Sequence, residues 1–224
     1  MFILGIDEAG RGPIIGPLVI VCAAISEERI NSLKENNVKD SKLLSQKQRE
    51  EIFKSIEHII KYELIIVSPD EIDDAVNSRS TNLNWLEADK AADLINKMDA
   101  KLYNDITKVI VDCPSTNTNA YKQKLMELIN NKDIDLIVEH KADLNHLIVG
   151  AASIIAKVTR EKELEKLKKK FKIDFGSGYP SDPKTISFLK NNWNKKEYQH
   201  LFRKSWQTYK NLADKGKQRS IGEY

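Results

Sequence analysis

The chain has 224 residues, 41% apolar and 31% charged, with 36 basic and 33 acidic groups and a net charge of +3. This is the balance of a globular protein with a Lys-rich surface, long enough for one large domain or a domain with a small extension. Cys22 and Cys113 are too few for a disulfide scaffold or a cysteine-based zinc site, no stretch reaches about 18 apolar residues, and the N-terminus lacks a secretory pattern. A soluble, cytoplasmic protein with buried free thiols and no membrane association is expected.

Met1–Asp7 predicts a first strand and Pro17–Ile25 a second, with a Gly/Pro turn between them. Ser45–Ile60 has helical spacing through Ile52, Phe53, Ile56, Ile59 and Ile60. Tyr62–Val67 predicts a third strand. Ser68-Pro69-Asp70-Glu71 is a helix start, with Ser68 as cap and Pro69 at the first position. Asn82–Met98 predicts an Ala-rich amphipathic helix, Thr107–Asp112 a fourth strand ending in a carboxylate, Asn119–Asn130 a helix and Ile134–Glu139 a fifth strand. Leu147–Lys172 predicts a long helix, apolar at its start and basic after Lys157. A Gly-rich loop at 175–180 leads to helices over Pro183–Asn192 and Lys196–Leu212, and Gly216–Tyr224 reads as a tail.

Little chain separates the first two strands, which predicts an antiparallel pair; the later strand–helix–strand order predicts a right-handed parallel crossover. The fold class is therefore α/β, a mixed sheet covered by helices. The expected division is a catalytic domain over 1–175, a C-terminal helical extension over 176–215 and a tail over 216–224.

Gly5-Ile6-Asp7-Glu8-Ala9-Gly10-Arg11-Gly12 puts two carboxylates at the end of an apolar strand, followed by two glycines around an arginine. Asp7 and Asp112 each end an apolar strand, where ligands of α/β sheets gather. Glu8 faces the other way on a regular strand and joins Asp7 only if the chain bends there. Asp143 follows the fifth strand and reads equally as a helix N-terminal residue or as a fourth acid of the set. Clustered carboxylates repel unless cations neutralise them, and hard oxygen ligands suit magnesium or manganese. Two such ions activate a water and stabilise a leaving oxygen in phosphodiester cleavage. The basic run at 157–172 and the Lys/Arg-rich stretch from Lys195 to Arg219 read either as solvated helix faces or as a track for a nucleic acid backbone. His58, His140, His146 and His200 have no metal-ligand spacing and read as structural or surface residues.

The segment Gly5–Gly12 resembles the signature of type 2 ribonucleases H, the ribonuclease HII family. In the same order follow Asp40-Ser41-Lys42, Val111-Asp112, His140-Lys141-Ala142-Asp143 and Ala151–Arg160, and Gly176–Pro183 resembles the archaeal branch. The resemblance covers roughly residues 1–190. It implies a ribonuclease H-like five-stranded sheet of order 3-2-1-4-5 with a C-terminal helical extension. It implies cleavage of RNA in RNA–DNA hybrids and incision 5′ to a ribonucleotide in duplex DNA, leaving 3′-hydroxyl and 5′-phosphate ends. It assigns the metal-binding and catalytic acids to Asp7, Glu8, Asp112 and Asp143, with two Mg or Mn ions. It assigns junction contacts to Gly10, Arg11 and Gly12, and junction sensing to Tyr179, whose ring would accept a deoxyribose and resist a 2′-hydroxyl. Ser41 and Lys42 are expected to bind phosphate. Lys157 and Arg160, one turn apart on a helix, are read either as substrate contacts or as helix-surface charges.

The tail Gln218-Arg219-Ser220-Ile221-Gly222-Glu223-Tyr224 resembles a sliding-clamp-binding box through Gln218, Ile221 and Tyr224, with the second aromatic missing. A monomer is expected. The competing readings are a resolvase- or transposase-type nuclease of the same fold, an actin-like ATPase suggested by Gly5-Ile6-Asp7, and a noncatalytic binding module. The chain is too short for the two domains an actin-like ATPase needs, and four uncompensated acids oppose phosphate binding by a noncatalytic module.

Overall fold

The computed structural model describes residues 1–38 and 41–221, without the side chains of Lys42 and of 215–221. In chain order the elements are β1 (Phe2–Ala9), β2 (Leu18–Ser26), α1 (Ile30–Glu35), α2 (Gln46–Ile56), β3 (Lys61–Val67), α3 (Pro69–Asn77), α4 (Leu83–Lys101), β4 (Ile106–Asp112), α5 (Thr118–Leu128), β5 (Asp135–Glu139), α6 (Ala142–Asn145), α7 (Leu147–Phe171), α8 (Pro183–Asn192) and α9 (Gln207–Ile221). The sheet order is β3-β2-β1-β4-β5. β1 is antiparallel to β2 and parallel to β4, and β4 is parallel to β5. The mixed sheet and the order implied by the family resemblance are both present.

Two compact units divide the chain. The first comprises Met1–Ala9, Val19–Ile66 and Asn84–Arg160. It holds the paired strands, and β2 is buried along almost its whole length, as its continuous apolar run LVIVCAAI requires of a strand covered on both faces. The start of α7 is likewise apolar all round: Ile148, Val149, Ala151, Ala152, Ile154 and Ile155 all lie in the core. The second unit comprises Gly10–Leu18, Val67–Leu83 and the chain from Glu161 onward. Its core gathers Ile14 and Ile15 with Phe175, Leu189, Leu201 and Phe202. The residues after 160 thus share a unit with the loop after β1, a different division from one drawn along the sequence at 175.

Helix starts follow local chemistry. Ser45 and Gln48 form a reciprocal capping box on α2, and Ser68 accepts the Glu71 N–H ahead of Pro69 on α3. α1 and α6 are too short for a helical period to show in the sequence. The expected helix over 196–212 is broken: a 3-10 turn covers Lys196–Leu201, Phe202 forms an isolated β-bridge with Ile15, and α9 starts at Gln207. α9 also carries on to Ile221 where a tail from Gly216 was expected, because each added residue of a formed helix gains a hydrogen bond. No described helix is long and apolar enough to cross a membrane.

Candidate active site

β1 and β4 pair side by side with Ile6 opposite Val111, so Asp7 and Asp112 are the next residues along two neighbouring parallel strands. Asp112 is in turn opposite Glu139 on β5. Asp112 Oδ1 accepts the N–H of Ala142 at 3.0 Å, which ties α6, and with it Asp143, to the end of β4. Asp7 and Asp143 are both buried. β1 stays in register with β2 through Asp7, Glu8 and Ala9, while its pairing with β4 ends at Ile6. Glu8 is half-buried, and its own N–H donates to Asp7 Oδ1 at 2.7 Å.

Gly5 explains how α7 reaches this place. A Cβ there would stand 2.5–2.6 Å from backbone atoms of Ile148 and Val149, so α7 crosses β1 in backbone contact two residues before Asp7. That crossing brings Ser153 and Lys157 to the acid. Lys157 Nζ donates to Ser153 Oγ at 2.9 Å and to Ser41 Oγ, and the two hydroxyl oxygens lie 2.8 Å apart. Ser153 donates its one O–H to Asp7, so its oxygen accepts from Lys157 and from the Ser41 hydroxyl.

Burial pushes the Asp7 carboxyl up to about 7, and the neighbouring Asp112 charge adds to the rise; the Ser153 hydrogen bond, the Lys157 ammonium and the Glu8 N–H pull it back. A carboxylate whose charge is disfavoured by burial and by a neighbouring acid gains from a bound cation. The donors at hand are all hard oxygens, the kind that magnesium and manganese take. Among the described residues no three His, Cys, Asp or Glu side chains close on one point.

Ser41 and Ser153 are fully buried and Arg160 is buried, so the hydroxyl of Ser41 faces Lys157 and Ser153. The Lys42 side chain and Asp40 lie outside the described residues. Ser153 was not assigned a role from the sequence, although it lies in the family-like segment Ala151–Arg160 and four residues before Lys157 on one helix face. His140, His146 and His200 contact Cys113 O, Glu139 and Asp70, the structural roles the sequence suggests. Part of the basic run is paired locally, Lys166 with Glu163 and Lys168 with Glu165.

The second unit holds the Gly10-Arg11-Gly12 loop. Gly10 has φ +94°, a left-handed conformation that suits glycine. Arg203 Nη2 donates to Gly10 O at 2.5 Å and Nη1 to Arg11 O at 2.8 Å. Trp206 Nε1 donates to Gly12 O at 3.2 Å. Tyr179, part-exposed, stands beside the loop: a Cβ on Gly12 would lie 3.7 Å from its Cε1. Its own turn is fixed by Gly178 O, which accepts from Ile14 N at 2.8 Å and Ile15 N at 3.2 Å. Asp182 Oδ2 accepts the Ser177 N–H at 2.7 Å, and such backbone donors hold its carboxyl down at about 2. Sequence reading missed Arg203 and Trp206, because both fall inside a stretch whose periodicity reads as uninterrupted helix. Gln218 and Ile221 lie on α9 with side chains outside the described set, and Tyr224 lies outside the described residues.

A sequence model of the family Ribonuclease HII matches residues 4–209. Ribonuclease HII of Methanococcus maripaludis is 43% identical over 211 residues, 94% of this chain and 86% of that protein. The crystal structure of ribonuclease H2 from Pyrococcus horikoshii superposes with a TM-score of 0.82 at 40% identity, covering 96% of this chain and 98% of the other. The ribonuclease HII of Archaeoglobus fulgidus, solved as a complex with PCNA, gives a TM-score of 0.79 at 38% identity over 94% of this chain and 96% of its own.

Proposed function

Because the chain belongs to the ribonuclease HII family, metal-dependent endonucleases that act on RNA in RNA–DNA hybrids, we propose that it also incises duplex DNA 5′ to a single embedded ribonucleotide. The products carry 3′-hydroxyl and 5′-phosphate ends. The observation that carries this reading is the pair Asp7 and Asp112 on adjacent parallel strand ends, followed in the chain by a Gly-Arg-Gly loop. Membership of the family sets aside the resolvase, ATPase and binding-module readings.

Asp7, Glu8, Asp112 and Asp143 would hold magnesium or manganese, two ions in this proposal. Such ions, when bound, activate water and stabilise charge on the leaving oxygen. The protein's own part is separate. Lys157 and Ser153 favour the ionised form of Asp7, keeping it available as a ligand. Arg11 and Lys42 supply positive charge for phosphates, with Lys157 and Arg160 adding to the local field. The backbone of Gly10–Gly12 meets the 2′-hydroxyl, and the Tyr179 ring packs on the sugar that follows.

The tail residues Gln218, Ile221 and Tyr224 would dock on a sliding clamp. The complex of the Archaeoglobus relative with PCNA supports that partner for this chain. The protein acts as a monomer, in the cytoplasm where the chromosome is copied. The test is incubation with a labelled duplex containing one ribonucleotide, with magnesium, manganese or EDTA, beside an all-DNA control. Metal-dependent incision 5′ to the ribonucleotide is expected. Cleavage confined to long RNA tracts would remove the single-ribonucleotide activity.

A further inference from the structure

Arg203 is fully buried. A guanidinium so placed needs acceptors for its five N–H groups. Here they come from one short segment. Besides Gly10 O and Arg11 O, its Nε and Nη2 reach Gly16 O at 3.2 and 3.0 Å, and its backbone N–H donates to Ile14 O at 2.9 Å. The Trp206 ring lies 5.1 Å from the guanidinium carbon while its indole N–H holds Gly12 O. Every carbonyl from Gly10 to Gly12 is therefore turned toward residues 203–206.

A trans peptide points its N–H opposite to its C=O, and the described peptides are all trans. Fixing the carbonyls of Gly10 and Arg11 on Arg203 thus turns the N–H groups of Arg11 and Gly12 to the other side of the loop. The carbonyl of Gly12 precedes Pro13, which has no N–H. What the loop presents on that side is two adjacent amide donors, with the carbonyls that would repel a phosphate turned away. Glycines on both sides of Arg11 would otherwise let these peptides flip at little cost. Arg203 is itself held. Asp73 accepts from Lys204 N and Ser205 N, both at 2.8 Å, and from Ser205 Oγ at 2.5 Å.

We infer that Arg203, assisted by Trp206, is a positioning residue that aims the Arg11 and Gly12 amides at the ribose of the embedded ribonucleotide. This rests on the reading that Gly10–Gly12 meets the 2′-hydroxyl. The partner chemistry is an acceptor on a sugar next to a phosphate, and specificity for it depends on amide direction.

The test uses the full chain carrying Asp7→Asn to stop turnover, and compares affinity for a one-ribonucleotide duplex with affinity for the same all-DNA duplex. Arg203→Lys keeps the charge but lacks the fork that serves several carbonyls. Trp206→Phe keeps a ring and removes one N–H. Preference for the ribonucleotide is expected to fall about tenfold in Arg203→Lys and about threefold in Trp206→Phe, the scale of one or two lost hydrogen bonds. Folded variants that keep the full preference would overturn the inference. So would equal weakening on both duplexes in step with thermal stability, the signature of a purely structural arginine. If Arg203→Lys does not fold, Trp206→Phe decides by the same criteria. A parent protein with no preference for the ribonucleotide would instead remove the reading of Gly10–Gly12 on which this stands.

Discussion

Lys157 Nζ stands 2.9 Å from Ser153 Oγ, one turn away on α7, so the cation that faces Asp7 is fixed from within its own helix. Its charge opposes the rise that burial imposes on Asp7. In Lys157→Met the Asp7 titration of the metal-free protein should move to higher pH by roughly one unit. The acid limb of the activity profile should move the same way. Carboxyl NMR and a pH–rate curve read the two shifts.

Asp7→Asn should abolish cleavage, by at least about a thousandfold, and leave hybrid binding intact or improved. It should also change stability. Burial pushes the folded Asp7 carboxyl up to about 7, against about 3.9 for an aspartate in an unfolded chain, so between those limits the folded state binds the extra proton. Metal-free protein therefore loses stability as pH rises from about 4 through 7, by on the order of 4 kcal/mol at most. Asp7→Asn should flatten that slope. Urea unfolding in EDTA at pH 5 and pH 8 measures it, and added magnesium should stabilise the parent more at pH 8.

Gly5→Ala and Gly12→Ala should behave oppositely. At Gly5 the new methyl meets backbone 2.5 Å away, which forces α7 off β1 and costs roughly 1–3 kcal/mol or more. At Gly12 it meets only Tyr179 Cε1 at 3.7 Å, so thermal stability should hold while selectivity for the ribonucleotide declines. Differential scanning calorimetry beside a cleavage assay separates the two.

Asp73→Ala removes a buried carboxylate that satisfies two amides and a hydroxyl. Leaving those donors buried without an acceptor should lower stability by about 2–4 kcal/mol, read from chemical denaturation.

Removal of residues 217–224 should leave cleavage of a short duplex unchanged and weaken binding to a purified sliding clamp. Equal clamp affinity with and without the segment, by surface plasmon resonance, would exclude the tail as the docking element.

The strand ends were legible because an apolar run that stops at Asp7 or Asp112 is a local pattern. The Ser68-Pro69 cap and the bounds of α8 were local too. The residues alone gave a mixed sheet; its full order came from the family motifs. What escaped was tertiary in origin. Ser41 and Ser153 are 112 residues apart, so nothing near either one signals their hydrogen bond. The break at Phe202 runs against the helical period because that backbone pairs with Ile15 and sends its next side chain to Gly10 and Arg11. Tertiary contacts outweigh a weak local preference there.

The hydrogen bonds from Arg203 to Arg11 and Gly10 span 192 and 193 residues of chain. During synthesis at about 5–20 residues per second, the loop emerges roughly 10–40 s ahead of the arginine that seats it. A nascent chain stopped before residue 203 already carries all four acids, yet its Gly10–Gly12 amides have no Arg203 to aim them. On the proposed reading of this loop, selectivity would be completed last, after the four acids are in the chain, and a C-terminal truncation that removed the arginine would cost discrimination while leaving the carboxylate set in the sequence.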